Sequence, residues 1–204
     1  MRRIEYRCRT GGMNVYLCFL KKLFAEAVEL SEVFPEELVR KAYELGFKYE
    51  KENKGCAQCV LAVVQDLFGL SEDVFVAGSA LSGGCCLMGD GPCGAYSGAL
   101  LALGYYYGRR RENFARIEDA RPAAKLGREL RRKFEEEYGS IVCREIQKKI
   151  FGRSFFLLDP REYVEFEEAG AHVDKCTSVV GKAAAWLVEI LLRNPVPGII
   201  PPNR

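Results

Sequence analysis

The sequence lacks a charge imbalance, with 30 Lys and Arg against 28 Asp and Glu in 204 residues, and 49% of it is apolar. That excludes a disordered acidic segment and a polyanion-binding basic protein. It also lacks a long apolar run. From Val74 to Gly108 the only charge is Asp90, but this stretch breaks into a short first arm and a second arm rich in Gly, Ser and Tyr, whereas a membrane span needs about 20 mainly apolar residues. The apolar stretch from Val15 to Leu20 ends at Lys21 and Lys22, too short for the core of a secretory leader. A cytoplasmic, reducing location is therefore expected. No Gly-Lys-Ser/Thr phosphate loop is present, and Gly89-x-Gly91-x-x-Gly94 matches a dinucleotide fingerprint in letters only, since it contains Pro92 and follows no credible strand. The basic runs Arg109 to Arg111 and Arg131 to Lys133 are each followed by acid, as on solvated helix faces, so no nucleic-acid partner is expected.

What is present is helical periodicity. Residues 14–30 carry apolar side chains at amphipathic spacing, and Pro35 opens a helix to about residue 51. Asn53 is expected to cap a helix over 55–68 that Gly69 stops, and Ser71 one that reaches about residue 81. The segments on either side of Gly83 and Gly84 read as two buried helices joined by a turn. In the second, Gly94, Ala95, Gly98, Ala99 and Ala102 form a small-residue stripe that admits a close neighbour. Further helices are expected over 122–138, 140–151 and 174–193, with a long connection over 152–171 that holds a short helix. No hairpin signal appears. The reading is an all-α bundle of about seven helices around a buried glycine/alanine-rich helix. Residues 1–12 are a flexible segment, 13–193 one domain with a helical extension over 13–52, and 194–204 a Pro-rich tail.

Nine cysteines are many for such a chain. Most would serve as small buried hydrophobes in a bland reading. Four share a feature that the others lack: Cys56 follows Asn53, Cys93 follows Asp90, Cys143 follows Ser140 and Cys176 follows Asp174, each by two or three residues. A good N-cap residue before each puts its sulfur in the first turn of a helix, where free backbone N–H groups and the helix dipole favour an anion and lower a thiol pKa.

The chain resembles the redox-active protein family named for its C_GCAxxG_C_C cysteine pattern. The resemblance rests on Cys56-Ala57-Gln58, on Gly83-Gly84, on Cys93-Gly94-Ala95-Tyr96-Ser97-Gly98-Ala99, on Leu103-Gly104 and Tyr107-Gly108, on Phe134 to Glu145, and on Cys176 before a terminal helix. It covers about residues 53 to 192, and it implies that Cys56, Cys93, Cys143 and Cys176 are the family's four cysteines. Residues 1–52 and 152–171 depart from the pattern. So do the extra thiols Cys59, Cys85 and Cys86, of which Cys85 or Cys86 could replace one of the four.

Four thiolates about 6 Å apart would repel by roughly 17 kcal/mol at an effective dielectric of 20, while four helix ends return about 8 kcal/mol at most. Bare thiolates lose, so the site must hold protonated thiols, disulfides or a cation. An iron–sulfur cluster, [2Fe–2S] in preference to [4Fe–4S], meets the requirement with Cys56, Cys93, Cys143 and Cys176 as ligands and with Gly84, Gly94 and Gly98 beside it. Zinc fits less well, because the four lie 37, 50 and 33 residues apart in the sequence rather than in close pairs. A thiol–disulfide oxidoreductase is the alternative, with Cys56-Ala57-Gln58-Cys59 as its sharpest feature, although Cys59 falls on an apolar face. A third reading is a helical adaptor for a partner such as a transporter. A redox partner protein and a homodimer are the expected associations. His172, the only histidine, is four residues before Cys176, and it serves either as a solvated or capping residue or as a ligand or proton shuttle.

Overall fold

Apolar residues at every third or fourth position need a common partner, and in the computed structural model that partner is the glycine-rich helix. The structure describes residues 35–195, most of them in one compact unit, Leu38–Arg204. Eight α-helices form among the described residues, and no strand does. They are α1 (35–53), α2 (Cys56–Phe68), α3 (Glu72–Ala77), α4 (Gly94–Tyr107), α5 (Arg121–Tyr138), α6 (Cys143–Phe151), α7 (Pro160–Glu168) and α8 (Cys176–Arg193). The all-α expectation is met. The expected helix over 14–30, the flexible segment 1–12 and most of the C-terminal tail lie outside the described residues.

Helix α4 is central and packs on α2, α5 and α8. Its small face allows this: a methyl added at Gly98 would overlap the Ala57 carbonyl and stand 3.0 Å from the Ala57 Cα. In α2 Val60, Leu61, Val63 and Val64 are fully buried, each stabilising the fold by about 1.5–3 kcal/mol. Gly46 of α1 and Gly181 of α8 give a second close approach, since a methyl at Gly46 would stand 3.1 Å from the Val180 carbonyl oxygen. Phe134 of α5 packs edge-on between Tyr96 of α4 and Trp186 of α8, with ring centroids 5.3 Å apart in both pairs.

Several helix starts differ from the sequence expectation. Asn53 is the last residue of α1, and Gly55, with φ 84°, caps α2. Ser71 does cap α3, its hydroxyl accepting from the Asp73 N–H, but that helix is only six residues long and buries no side chain, so the pair of buried helices flanking Gly83 and Gly84 reduces to α4 alone. Ser140 accepts from the Val142 N–H at 3.0 Å, while Val142 itself is the N-cap of α6. The last helix is preceded by one π-helical turn, Ala171–Lys175, entered through Gly170 at φ 90°.

Candidate functional site

The four singled-out cysteines stand at helix starts. Cys56, Cys143 and Cys176 are the first residues of α2, α6 and α8, and Cys93 is the N-cap of α4. All four line one cavity of about 190 Å³, together with Glu50, Gln147, His172 and an apolar wall that includes Leu87, Leu157, Phe166 and Val180. Cys56 and Cys93 lie close enough for each to act on the other's charge, and the Gly83 backbone stands beside Cys56. Gln147 Nε2 donates to Cys143 Sγ at 3.8 Å, while its Oε1 accepts from the Phe155 N–H at 2.8 Å.

Local chain geometry explains how such distant residues meet. Loop 89–93 is stitched to the start of α6 by Cys93 N–H to Ile141 O (2.7 Å), Cys143 N–H to Gly91 O (3.0 Å) and Arg144 N–H to Gly89 O (2.8 Å). This antiparallel bridge at Pro92 and Val142 sets Cys93 beside Cys143. Before it, Gly83, Gly84, Cys85, Cys86 and Leu87 all have φ between 52° and 76°, a single left-handed turn. Three of these residues are not glycine, and each costs roughly 1–2 kcal/mol in that conformation. The turn brings the Gly83 backbone to Cys56 and fits Gly84 against α6, where a methyl would stand 2.8 Å from the Cys143 Cβ.

Cys56, Cys143 and Cys176 are not acidified. The neighbouring Cys93 side chain and then burial hold Cys56 well above its ordinary pKa, burial pushes Cys143 up to about 12, and burial followed by the Glu50 charge raises Cys176. The expectation of lowered pKa values at these helix ends is corrected on two physical grounds. Desolvation disfavours the thiolate, and the first-turn N–H groups of α6 are already spent on the Gly89 and Gly91 carbonyls.

The other candidates fall elsewhere. Cys59 is buried in the main core rather than lining the cavity. Its thiol donates to the Lys54 carbonyl at 3.1 Å, and burial raises its pKa, so the Cys56 and Cys59 pair does not act on one space. Cys85 is half-buried and Cys86 exposed, and neither lines the cavity. Gly94 packs on Cys56 and Gly84 on Cys143, whereas Gly98 sets the spacing of α2 and α4. All seven described cysteines are free thiols. Among the described residues no three His, Cys, Asp or Glu converge closely enough to hold a single metal ion. Four cysteines lining one cavity are the donor type that an iron–sulfur cluster would take.

Two cavity residues escape the sequence reading. Gln147 is four residues after Cys143 and so shares its helix face. Glu50 is buried to 3% exposure on the stripe that holds Ala42 and Gly46, and this i, i+4, i+8 spacing was the available signal. His172 is enclosed as well, with Nδ1 2.9 Å from the Glu167 carboxylate and Nε2 3.6 Å from Glu50 Oε1.

A family model described as "putative redox-active protein (C_GCAxxG_C_C)" matches residues 55–190. No match was found among curated proteins or among solved structures. No helix of the described residues is long and apolar enough to cross a membrane.

Proposed function

Since the chain belongs to the C_GCAxxG_C_C family of redox-active proteins, we propose that it is an electron-transfer or redox-sensing protein whose centre is an iron–sulfur cluster held by Cys56, Cys93, Cys143 and Cys176. The observation that carries this reading is that four thiols far apart in the chain line one small, largely apolar cavity. The pKa values of Cys56, Cys143 and Cys176 are raised in this cavity, so only a strongly cationic core makes four thiolates tolerable there. The chemistry such a cluster supplies is the gain and loss of one electron. The protein's part is to hold the sulfurs, to aim the Gln147 N–H group at one of them, and to keep water out with Leu87, Leu157, Phe166 and Val180. Hydrogen bonds to ligand sulfur and a dry surround are the levers that tune such a centre. Leu87 lines the cavity and is 37% exposed, so a redox partner protein meets the thinnest wall there.

A dithiol couple is the second reading, supported by the position of Cys56 and Cys93 as electrostatic neighbours on one cavity. Two electrons and two protons would leave as that pair closes to a disulfide. Metal analysis separates the two. Protein purified without air is expected to contain iron and acid-labile sulfide and to show visible charge-transfer absorption. Cys→Ser at 56, 93, 143 or 176 should abolish the absorption, and Cys59→Ala, Cys85→Ser and Cys86→Ser should keep it. Iron-free, sulfide-free protein that reversibly loses two thiols on mild oxidation would replace the cluster with the dithiol.

A further inference from the structure

Most of the cavity wall is rooted in the main core, and one segment is not. Cys56, Cys93, Ile146, Ile150, Val179 and Val180 line the cavity and belong to, or pack on, the core that surrounds α4. Leu157, Tyr163 and Phe166 line it too, but they belong to a separate small core formed with Phe155 and Ala171. Those three come from residues 153–169, inside the stretch where the chain departs from the family's cysteine pattern. Among the elements from α2 to α8, α7 has the π-helical turn as its main neighbour.

This segment is tied to itself and bracketed by two glycines. Arg153 pairs with Glu162 at 3.2 Å and with Glu165 at 3.0 Å, and its guanidinium lies 4.5 Å from the centre of the Phe155 ring. The Phe156 N–H donates to Glu162 at 2.8 Å. These links fasten the incoming loop to α7, so that the two move together. At one end stands Gly152 with φ 84°, where an added methyl would meet nothing within 4 Å, and at the other stands Gly170 with φ 90°. Left-handed backbone suits glycine, and domain and loop closure is absorbed at such element-terminal residues. The polar bonds that hold the segment shut converge on Lys54, at the junction of α1 and α2. Its Nζ donates to Glu167 at 2.6 Å and to the Tyr163 hydroxyl at 3.2 Å, and it lies 5.5 Å from the centre of the Tyr163 ring. The Phe155 N–H donates to Gln147 at 2.8 Å, and Glu167 stands 2.9 Å from His172 Nδ1.

We propose that residues 153–169 are a lid, hinged at Gly152 and Gly170 and latched by Lys54, which opens to admit the group that the four thiols hold. The proposal rests on the four-thiol site of the reading above and not on which group fills it. With the lid closed, Cys93 and Cys143 are 7% and 8% exposed, so a group of several atoms reaches them only when the wall parts. Opening separates the small core and releases the Lys54 bonds, while α4 and the main core around it stay packed. Such sub-global opening takes place without unfolding of the whole chain. Closing returns Leu157 and Phe166 to the wall and shuts water out again.

The first test needs no variant. Hydrogen exchange of the full chain, read peptide by peptide, should show residues 153–169 exchanging as one unit, about tenfold or more ahead of α4 and α8. In the second test the reduced, metal-free full chain is pulsed with iodoacetamide and each cysteine is read by mass spectrometry. Exposed Cys86 should react fast, and Cys56, Cys93, Cys143 and Cys176 slowly, in proportion to the open population. Lys54→Met should speed those four about fivefold, as expected for the loss of a well-formed surface ion pair. Gly152→Ala should speed them about fivefold or more, because alanine is strained at φ 84° in the closed lid. Leu130→Ala truncates a fully buried side chain of α5 that does not line the cavity. It weakens the open and closed forms alike and should leave the four rates unchanged.

The lid is overturned if residues 153–169 exchange no faster than α4, or if labelling of the four thiols rises with Leu130→Ala, the mark of global unfolding. It is overturned as well if the four react as fast as Cys86 in the wild type, since the cavity would then stand open. A Lys54→Met chain that labels at the wild-type rate overturns the latch. Protein without iron and sulfide would overturn the cluster and leave every one of these rates as expected, so the two failures are told apart.

Discussion

Helix α4 contains a matched pair of glycines that tests the central packing argument. At Gly98 an added methyl would overlap the Ala57 carbonyl oxygen and stand 3.0 Å from both the Ala57 carbonyl carbon and its Cα. Carbons meet comfortably at about 3.5–4.0 Å, so α2 and α4 would have to part by at least about 0.5 Å along their largest shared surface. The obstructing atoms are backbone inside a helix and cannot rotate away. At Gly104 in the same helix nothing lies within 4 Å of the added methyl. Alanine gains about 0.5–1 kcal/mol over glycine in a helix interior, and overpacking costs typically about 1–3 kcal/mol. Gly104→Ala should therefore stabilise by about 0.5–1 kcal/mol, and Gly98→Ala should lose about 2 kcal/mol net. For a chain of this length that is a Tm rise of about 1–4 °C in one case and a fall of about 4–8 °C in the other. Urea unfolding of the metal-free protein, with an unchanged slope in both variants, is the assay. If Gly98→Ala melts at or above the wild type, the close approach of α2 and α4 does not exist as described. Because Cys56 begins α2 and Cys93 caps α4, the same variant should also weaken retention of the proposed cluster.

The metal-free protein should lose stability as the solution becomes alkaline. Cys143 has an ordinary pKa of 9.0 and is pushed up to about 12 by burial, so above about pH 9 the unfolded chain sheds a proton that the folded one keeps, and folding is progressively disfavoured up to about 12. Cys56 and Cys176 act with the same sign, and a urea midpoint that rises over this range would contradict the buried, protonated thiols. In acid the opposite window applies: burial alone would raise Glu167, but hydrogen bonds from Lys54, His172 and Tyr163 hold it down at about 2. Its contribution is complete above about pH 4.5 and should vanish as pH falls to about 2, a loss that Glu167→Gln should remove from the acid unfolding curve. Asp159 caps α7 through a 2.8 Å bond from the Arg161 N–H. Asp159→Ala should cost about 1 kcal/mol by urea unfolding and Asp159→Asn little, since both native and amide oxygens accept; equal losses in the two variants would deny the cap.

A helix start is a local matter, decided by a few residues of backbone, and so the sequence alone located Cys56, Cys93, Cys143 and Cys176 at or within one residue of the helix ends where they stand. It named the wrong cap at all four, since Gly55, Cys93, Val142 and Lys175 stand where Asn53, Asp90, Ser140 and Asp174 were expected. The small residues of α4 were also legible, since close approach demands small side chains whatever the partner. The protonation of the thiols was not, because it depends on what covers them: the helix-end effect is set by four residues, whereas desolvation is set by Leu87, Phe166 and Val180, which come from three separate parts of the chain. Glu50 and His172 are more than 120 residues apart, and only the packing of α1 against the start of α8 makes them neighbours. Sequence periodicity tells which way a residue faces on its own helix; what it faces is determined by the other helices.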